Sequence, residues 1–357
     1  LIVVNFILKL LNYLVLGGLA LALLAPQINP SIFWPPAFFG LLFPIFLGLN
    51  AVFLVYWAIK AKLRFVFNLA LLVLSISSIN KIVTFGAKAS PEREGKLKVI
   101  TYNTKLFGIY DQGSFNKEFI EEIAHKNPDI LCLQEFFNIP TGTGNTLDEL
   151  KKRTGLKYGY FRSLRNKKRQ SKFGIIILSR YKIIDYGEVD FGKQTLNLCI
   201  YVDVKIKNKV TRIYNAHLQS LSLNRTDYSM LKSVGESMDT TVQVSKNIFK
   251  RIKTAYIQRG EQALMLKESM QSCGKPTILC GDFNDPPQSF SYSVLSKNMK
   301  DCFIESGNGL GGTYIGPLPS MRIDYILHDT SMVSFNYQAL KMFTSDHKMV
   351  EALIDNE

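Results

Sequence analysis

Six short segments hold most of the side chains in this sequence that could do chemistry together. They are Tyr102-Asn103-Thr104, Leu133-Gln134-Glu135, Asn215-Ala216-His217-Leu218, Gly281-Asp282-Phe283-Asn284, Arg322-Ile323-Asp324-Tyr325 and Ser345-Asp346-His347. Each sets an Asn, Asp, Glu or His directly after a short apolar run that reads as a strand, and strand ends are where a sheet protein displays catalytic groups. Oxygen donors of this kind suit a hard cation, Mg²⁺ or Mn²⁺. Two histidines beside carboxylates suit proton transfer in phosphate-ester hydrolysis.

Other chemistries have little to stand on. The five cysteines form no CxxC pair and are odd in number, so neither a zinc cage nor a disulfide framework is indicated. Cys132, Cys199 and Cys280 sit in apolar runs, where a thiol acts as a small buried hydrophobe, while Cys273 and Cys302 read as peripheral.

The elements that must position these groups begin after residue 96. Apolar strands are expected at Leu97–Tyr102, Asp129–Gln134, Phe173–Leu178, Asn197–Lys205, Val210–Asn215, Thr277–Cys280, Ile323–Leu327 and Val350–Ile354. The Lys207-Asn208-Lys209 turn makes a hairpin of two of them. Helices are expected at Lys117–His125, at Thr146–Arg153 with Thr146 as cap, and from Val242 to Ser272. Strands that alternate with helices and also form hairpins predict an α/β sandwich with helices outside two sheets.

The first 85 residues differ. They hold no Asp or Glu and only Lys9, Lys60, Lys62, Arg64 and Lys81 as basic residues. That leaves 38 of the 43 Lys and Arg against all 29 Asp and Glu in the remainder, a net +9. Apolar runs at 2–25, 37–59 and 63–85 predict about three transmembrane helices, since a span needs about 20 apolar residues. Two further apolar runs after the first also argue against a simple signal peptide. Loop 26–36 is uncharged and loop 60–64 is basic, so the positive-inside rule puts the second loop in the cytoplasm and the catalytic domain outside it. The expected layout is a membrane region at 1–85, a linker at 86–96 and a catalytic domain at 97–357.

In their order along the chain, the six segments resemble the endonuclease/exonuclease/phosphatase family, the DNase I-like metal-dependent phosphoesterases. The resemblance covers about residues 96–357. It implies a four-layered α/β sandwich, two mixed β-sheets flanked by helices, with the active site at one end of the sheets. It implies that Glu135 anchors Mg²⁺ or Mn²⁺, with Asn103 orienting the metal or the scissile phosphate. Asp282 would position or deprotonate the attacking water and Asn284 would hold it. Asp324 would orient His347, Asp346 would assist the metal or the nucleophile, and His217 would stabilise the phosphoryl transition state. The expected metal set is therefore Glu135, Asn103 and Asp346. Lys105 departs from the pattern, because some members place an acidic second-metal ligand there.

Outside the motifs, Arg259 and Arg322 are candidates to contact phosphate, with salt bridging as the alternative. Asp285 reads as a turn residue, and His125 and His328 as surface residues. The basic, aromatic stretch from Lys151 to Lys172 could follow a nucleic-acid backbone, bind lipid head groups or be a solvated loop. The sequence thus predicts a membrane-anchored, Mg²⁺-dependent phosphoesterase acting on nucleic acid or a phospholipid-type diester, with the bilayer as its surroundings and no protein partner inferred. A phosphomonoesterase acting on a lipid or inositol phosphate is the nearest alternative. A non-catalytic membrane scaffold on the same fold is the alternative of another class.

Overall fold

The structure is a computed structural model that describes residues 2–86, 88–90, 93–105, 115–138, 140–141, 144–164, 172–192, 197–221, 238–316, 320–342 and 345–355. The chain groups into two units. Leu1–Ile82, Ser220–Glu261 and Asp285–Val294 form one, and Val83–Gln219, Gln262–Asn284 and Leu295–Glu357 form the other.

The second unit carries all six segments, and period-two alternation builds it. One six-stranded sheet comprises Leu97–Asn103 (β1), Ile130–Asn138 (β2), Tyr158–Leu164 (β3), Lys172–Ser179 (β4), Val333–Lys341 (β11) and Lys348–Asp355 (β12), in the order β11-β12-β1-β2-β4-β3. The other comprises Ile183–Val189 (β5), Leu198–Ile206 (β6), Lys209–His217 (β7), Thr277–Asp282 (β8), Met299–Asp301 (β9) and Asp324–Asp329 (β10), in the order β9-β10-β8-β7-β6-β5. Each sheet is mixed and has one parallel pair, β1 with β2 and β7 with β8. Parallel neighbours need a long crossover. The chain supplies Phe115–Lys126 between the first pair and Met238–Ser272 between the second.

Alternate residues of these strands face different cores. Leu97, Val99, Ile130, Cys132, Ile213, Ile278, Cys280 and Ile326 belong to one buried cluster that draws on both sheets. Ile100, Tyr102, Leu131 and Leu133 belong to a second, with Phe119, Ile120 and Ile123 of the crossover helix. Continuing two residues at a time along the first face, each strand turns polar at one end: Thr101 and Asn103, Gln134, Asn215 and His217, and Asp282. The strand pairings keep these ends level. Asn103 pairs with Gln134, His217 with Asp282, and Asp282 with Asp324.

Just below the ends, a buried amide network joins the two sheets. Asn215 Nδ2 donates to the carbonyl oxygens of Leu133 (3.1 Å) and Ile176 (2.8 Å). Gln134 Nε2 donates to Asn215 Oδ1 (2.6 Å) and Thr101 Oγ1 (2.9 Å).

Several expectations are corrected in this unit. Within the basic, aromatic stretch, Tyr158–Leu164 is a strand paired to β4 where no strand was expected, and Arg162 donates to Glu188 at 2.6 Å. The neighbouring Arg165, Lys167, Lys168 and Arg169 lie outside the described residues. Helix Thr146–Thr154 is capped by the Asn145 side chain, which accepts from the Asp148 N–H, and not by Thr146. His328 is fully buried, with its imidazole against Glu305 at 3.0 Å, and Cys302 is buried too. All five cysteines are free.

The other unit contains Ile2–Leu24 (α1), Pro35–Leu41 (α2), Phe43–Ile59 (α3), Phe65–Leu74 (α4) and Ile76–Ile79 (α5). It is apolar on the outside. Phe6, Leu10, Leu14, Val52, Val55 and Phe67 are exposed, while Asn12, Asn50 and Asn68 are fully buried. Asn50 Nδ2 donates to the Asn68 carbonyl oxygen at 2.9 Å. Gly18 leaves room for the Phe46 ring, which a Cβ would strike.

Three full spans are not found among the described residues. Among them, only α1 is by itself long and apolar enough to cross a bilayer, and α2 and α3 would form at most one span bent by 72°. The bend falls beside Pro44, which has no N–H to give a continuous helix. Helix α4 has ten residues, about 15 Å of rise against a hydrocarbon core of about 30 Å. The third crossing, on which the extracytoplasmic placement depended, is therefore missing from the expected form.

Asn215→Leu should take the Asn215 amide from the Leu133 and Ile176 carbonyls and one of its two acceptors from the Gln134 amide, lowering unfolding free energy by about 3 kcal/mol. A clear fall in the melting temperature of the detergent-solubilised chain is expected, and an unchanged one would show that the network does not hold the sheets together.

Candidate active site

Backbone geometry turns three of the site residues. Lys105, Glu135 and Asn284 have left-handed backbones, with φ of 45°, 50° and 53°. Non-glycine residues rarely adopt this conformation, and it costs of order 1 kcal/mol or more at each. At Glu135 it coincides with a register shift between Leu133 and Phe136 in the β2–β4 pairing. A bulge of this kind re-aims a side chain. Simple alternation would send Glu135 to the face opposite Gln134, whereas its carboxylate lies beside His217 and Asn103.

Asp282 is the centre of the cluster. Its Oδ2 accepts from Asn103 Nδ2 at 3.0 Å and lies 3.9 Å from His217 Nε2 and 3.8 Å from His347 Nε2. Asn103 Nδ2 also approaches Glu135 Oε1 at 3.4 Å. Glu135 Oε1 is 3.7 Å from His217 Nε2. His347 Nδ1 lies 3.1 Å from both oxygens of Asp324, and its Nε2 is 3.9 Å from Asp346 Oδ1. Asp346 Oδ2 in turn accepts from Lys105 Nζ at 2.6 Å. Residues from all six segments thus meet in one place.

Supporting contacts set these orientations. The N–H groups of Ile323 and Asp324 donate to Thr313 Oγ1, fixing Asp324 behind the imidazole. Ser345 Oγ donates to the Asn103 carbonyl oxygen and accepts from the His347 N–H, tying the first segment to the last. Asn284 serves the turn. Its N–H donates to Asp282 Oδ1 (2.8 Å) and its Nδ2 to the Leu218 carbonyl oxygen (3.0 Å). Its side chain therefore steadies the Asp282 and His217 segments, and the left-handed backbone ends the alternation that would have aligned it with Asp282.

Burial and charge act in opposite directions here. Burial opposes a charge on His347, but the Asp324 and Asp282 carboxylates outweigh it and push the imidazole up to about 10. Burial raises the Asp282 carboxyl above its ordinary range, and His347 draws it back. Because the folded-state value of His347 lies above its unfolded 6.5, its charge stabilises the fold fully below about pH 6.5, and that contribution is lost as pH rises through about 10.

The carboxylate oxygens of Glu135 and Asp282 are donors of the kind a divalent cation takes. Buried His217 Nε2 has no hydrogen-bond partner, and both carboxylates near it lie beyond hydrogen-bond range. An orphaned nitrogen between two acids is a place for a further group. Glu135 is partly exposed and can offer its carboxylate there. The tighter trio Asp282, Asp324 and His347 also brings ligand atoms within 4.8 Å of one another. Asp324 already occupies Nδ1 of His347 and, with Asp282, favours the charged form of the ring, so the pair has the arrangement by which a carboxylate orients a catalytic imidazole.

Two candidates lie elsewhere. Arg322 is buried with Nη1 2.6 Å from Asp301 and its guanidinium over the Phe303 and Tyr325 rings. Arg259 belongs to the other unit, where it is buried with Nη2 3.1 Å from Asp285 and stacks on Tyr256. Both take the salt-bridging alternative. Gln134, Asn215, Thr313 and Ser345 are working residues that the motif pattern does not mark out as such. The signal for the first two was available, as a polar side chain on the inward phase of an apolar strand.

With only four histidines in the chain, the His347 ring can be followed by ¹³C NMR of histidine-labelled protein. Its midpoint should fall near pH 10, and Asp324→Asn should move it to lower pH by removing the largest charge that raises it. A wild-type midpoint near 6.5 would contradict this pairing.

A family model described as "Endonuclease/Exonuclease/phosphatase family" matches residues 100–347, and one described as a domain of unknown function matches residues 5–82. No curated protein matches. Solved structures with similar folds include humanized D. rerio TDP2 carrying 14 mutations, at 16% identity and TM-score 0.53, covering 73% of this chain and 99% of that one. The human Nocturnin catalytic domain with bound sulfate matches at 18% identity and TM-score 0.52, covering 76% and 96%. An endonuclease/exonuclease/phosphatase from Beutenbergia cavernae matches at 16% identity and TM-score 0.52, covering 73% and 72%. Identities this low carry the fold alone.

Proposed function

This chain belongs to the endonuclease/exonuclease/phosphatase family, and we propose that it is a membrane-anchored, divalent-metal-dependent phosphoesterase that hydrolyses a phosphodiester of nucleic-acid or phospholipid type. The observation that carries the reading is the convergence of Glu135, Asn103, His217, Asp282, Asp324, Asp346 and His347 on one cluster. A scaffold without catalysis would have no use for a buried, unpartnered imidazole nitrogen aimed between two carboxylates.

Glu135 would hold Mg²⁺ or Mn²⁺, and Asn103, whose Nδ2 faces Glu135 and Asp282, would orient those two carboxylates. When bound, such an ion neutralises phosphate charge and polarises the phosphorus for attack. The remaining work falls to the chain. Asp282 orients the attacking water and accepts its proton, with the Asn103 amide keeping Oδ2 in place. His347 is charged and turned by Asp324, so its Nε2–H is available to a phosphoryl or leaving-group oxygen. His217 Nε2 offers a second contact to the same phosphoryl group. Preorganised charge of this kind supplies much of the acceleration in phosphoryl transfer.

Anchoring rests on α1, which has 23 residues and an exposed apolar surface, and on the apolar exterior of α3 and α4. An exposed apolar area of this extent suits contact with lipid tails. A surface of that kind and the +9 balance of the remainder both fit an anionic substrate near a bilayer.

Purified full-length protein should hydrolyse at least one of plasmid DNA, a choline phospholipid, an inositol phosphate and a chromogenic diester. The activity should require Mg²⁺ or Mn²⁺ and stop with EDTA. Glu135→Ala should cost at least about a hundredfold while the domain stays folded. Full activity in metal-free buffer, or a near wild-type rate for Glu135→Ala, would sink the mechanism.

A further inference from the structure

Each carboxylate of the site has its own partner. Asp324 holds His347, Asp282 receives Asn103, and Glu135 faces His217. Asp346 differs, because its Oδ2 accepts from the Lys105 ammonium at 2.6 Å. Lys105 is not simply a loose surface lysine. Its left-handed backbone and its N–H, which donates to Asn103 Oδ1 at 2.9 Å, fix where the side chain starts. The same bond orients the Asn103 amide so that Nδ2 points at Asp282 and Glu135. The lysine side chain is 54% exposed, so substrate can reach it.

An ammonium has three donors and no acceptor. It cannot ligate a metal, yet it can satisfy a carboxylate with one proton and a phosphate oxygen with another. A carboxylate neutralised in this way is a poor ligand for a second divalent ion. Resting on the phosphoesterase reading above, we propose that Lys105 is a built-in cation of this site: it occupies Asp346, takes the place a second divalent ion would need, and grips a non-bridging oxygen of the substrate phosphate, so that the chain works with a single divalent ion.

The test counts ions and does not depend on turnover. Mn²⁺ bound by the full-length, detergent-solubilised chain is titrated by calorimetry and electron paramagnetic resonance, and inorganic phosphate serves as the anion probe. Wild type should bind one Mn²⁺ at the site, and Lys105→Glu should bind two, because the cation is replaced by a ligand. Lys105→Met should weaken phosphate binding about tenfold or more, the scale of one charge-assisted hydrogen bond. Lys105→Arg should keep one ion and most of the phosphate affinity. Two ions in wild type, or unchanged phosphate affinity in Lys105→Met, would overturn the assignment. A chain that counts ions and binds phosphate as expected but hydrolyses nothing in the substrate panel would overturn the phosphoesterase reading and leave standing only the single-ion count and the Lys105–phosphate contact.

Discussion

The Asn215 side chain is the contact on which the rest of the site depends. It lies in the seam between the two sheets, where their apolar facing sides turn polar, and it donates to backbone carbonyls of both β2 and β4 while accepting from Gln134. A buried amide with such partners is costly to misplace, because each lost bond leaves an unsatisfied polar group away from water. The network therefore sets how the end of one sheet meets the end of the other. Asn103, Glu135, His217 and Asp282 sit within two residues of that level on their own strands, and Asp346 and His347 lead into the strand beside the first of them. Asn103 and Glu135 belong to one sheet, and His217, Asp282 and Asp324 to the other.

Above that level the structure gathers charge that water would otherwise dissipate. Asp282 is buried, and its carboxyl rises accordingly until His347 offsets part of the effect. His347 gains more from its acidic neighbours than it loses by burial. The two groups thereby hold opposite roles, one ready to accept a proton and the other to donate. Divergent environments for two titratable groups are a general way to divide acid and base work. Left-handed backbones at Lys105, Glu135 and Asn284 show that local conformation has been sacrificed to reach this arrangement.

Much of this was legible in the sequence because the face between the sheets alternates with a strict period of two. Ile278, Cys280 and Asp282, or Ile213, Asn215 and His217, read directly as apolar strand running into polar end. The six segments and the mixed two-sheet sandwich followed from that pattern and from the family resemblance. Strands Ile183–Val189 and Val333–Lys341 escaped notice because their residues are mostly half-exposed and lack a continuous apolar phase. The bulge that turns Glu135 inward leaves no sequence signature, since it is set by pairing with β4. Arg322 looked available for phosphate, but nothing local reveals that Asp301, 21 residues earlier, claims it. The apolar runs near the N-terminus were plain, yet composition did not show that one would bend beside Pro44 and another stop after ten residues.

The central claim is that groups far apart in sequence act as one catalytic unit. A double-mutant cycle on Asp324 and His347, with Mg²⁺-dependent hydrolysis of the best substrate as readout, tests it most directly. If Asp324 acts through the imidazole it holds, Asp324→Ala and His347→Ala should each cost several orders of magnitude, about 10³-fold or more, and the double variant little more than either alone. Losses that multiply in the double variant would mean that the two residues work separately, and would contradict the account.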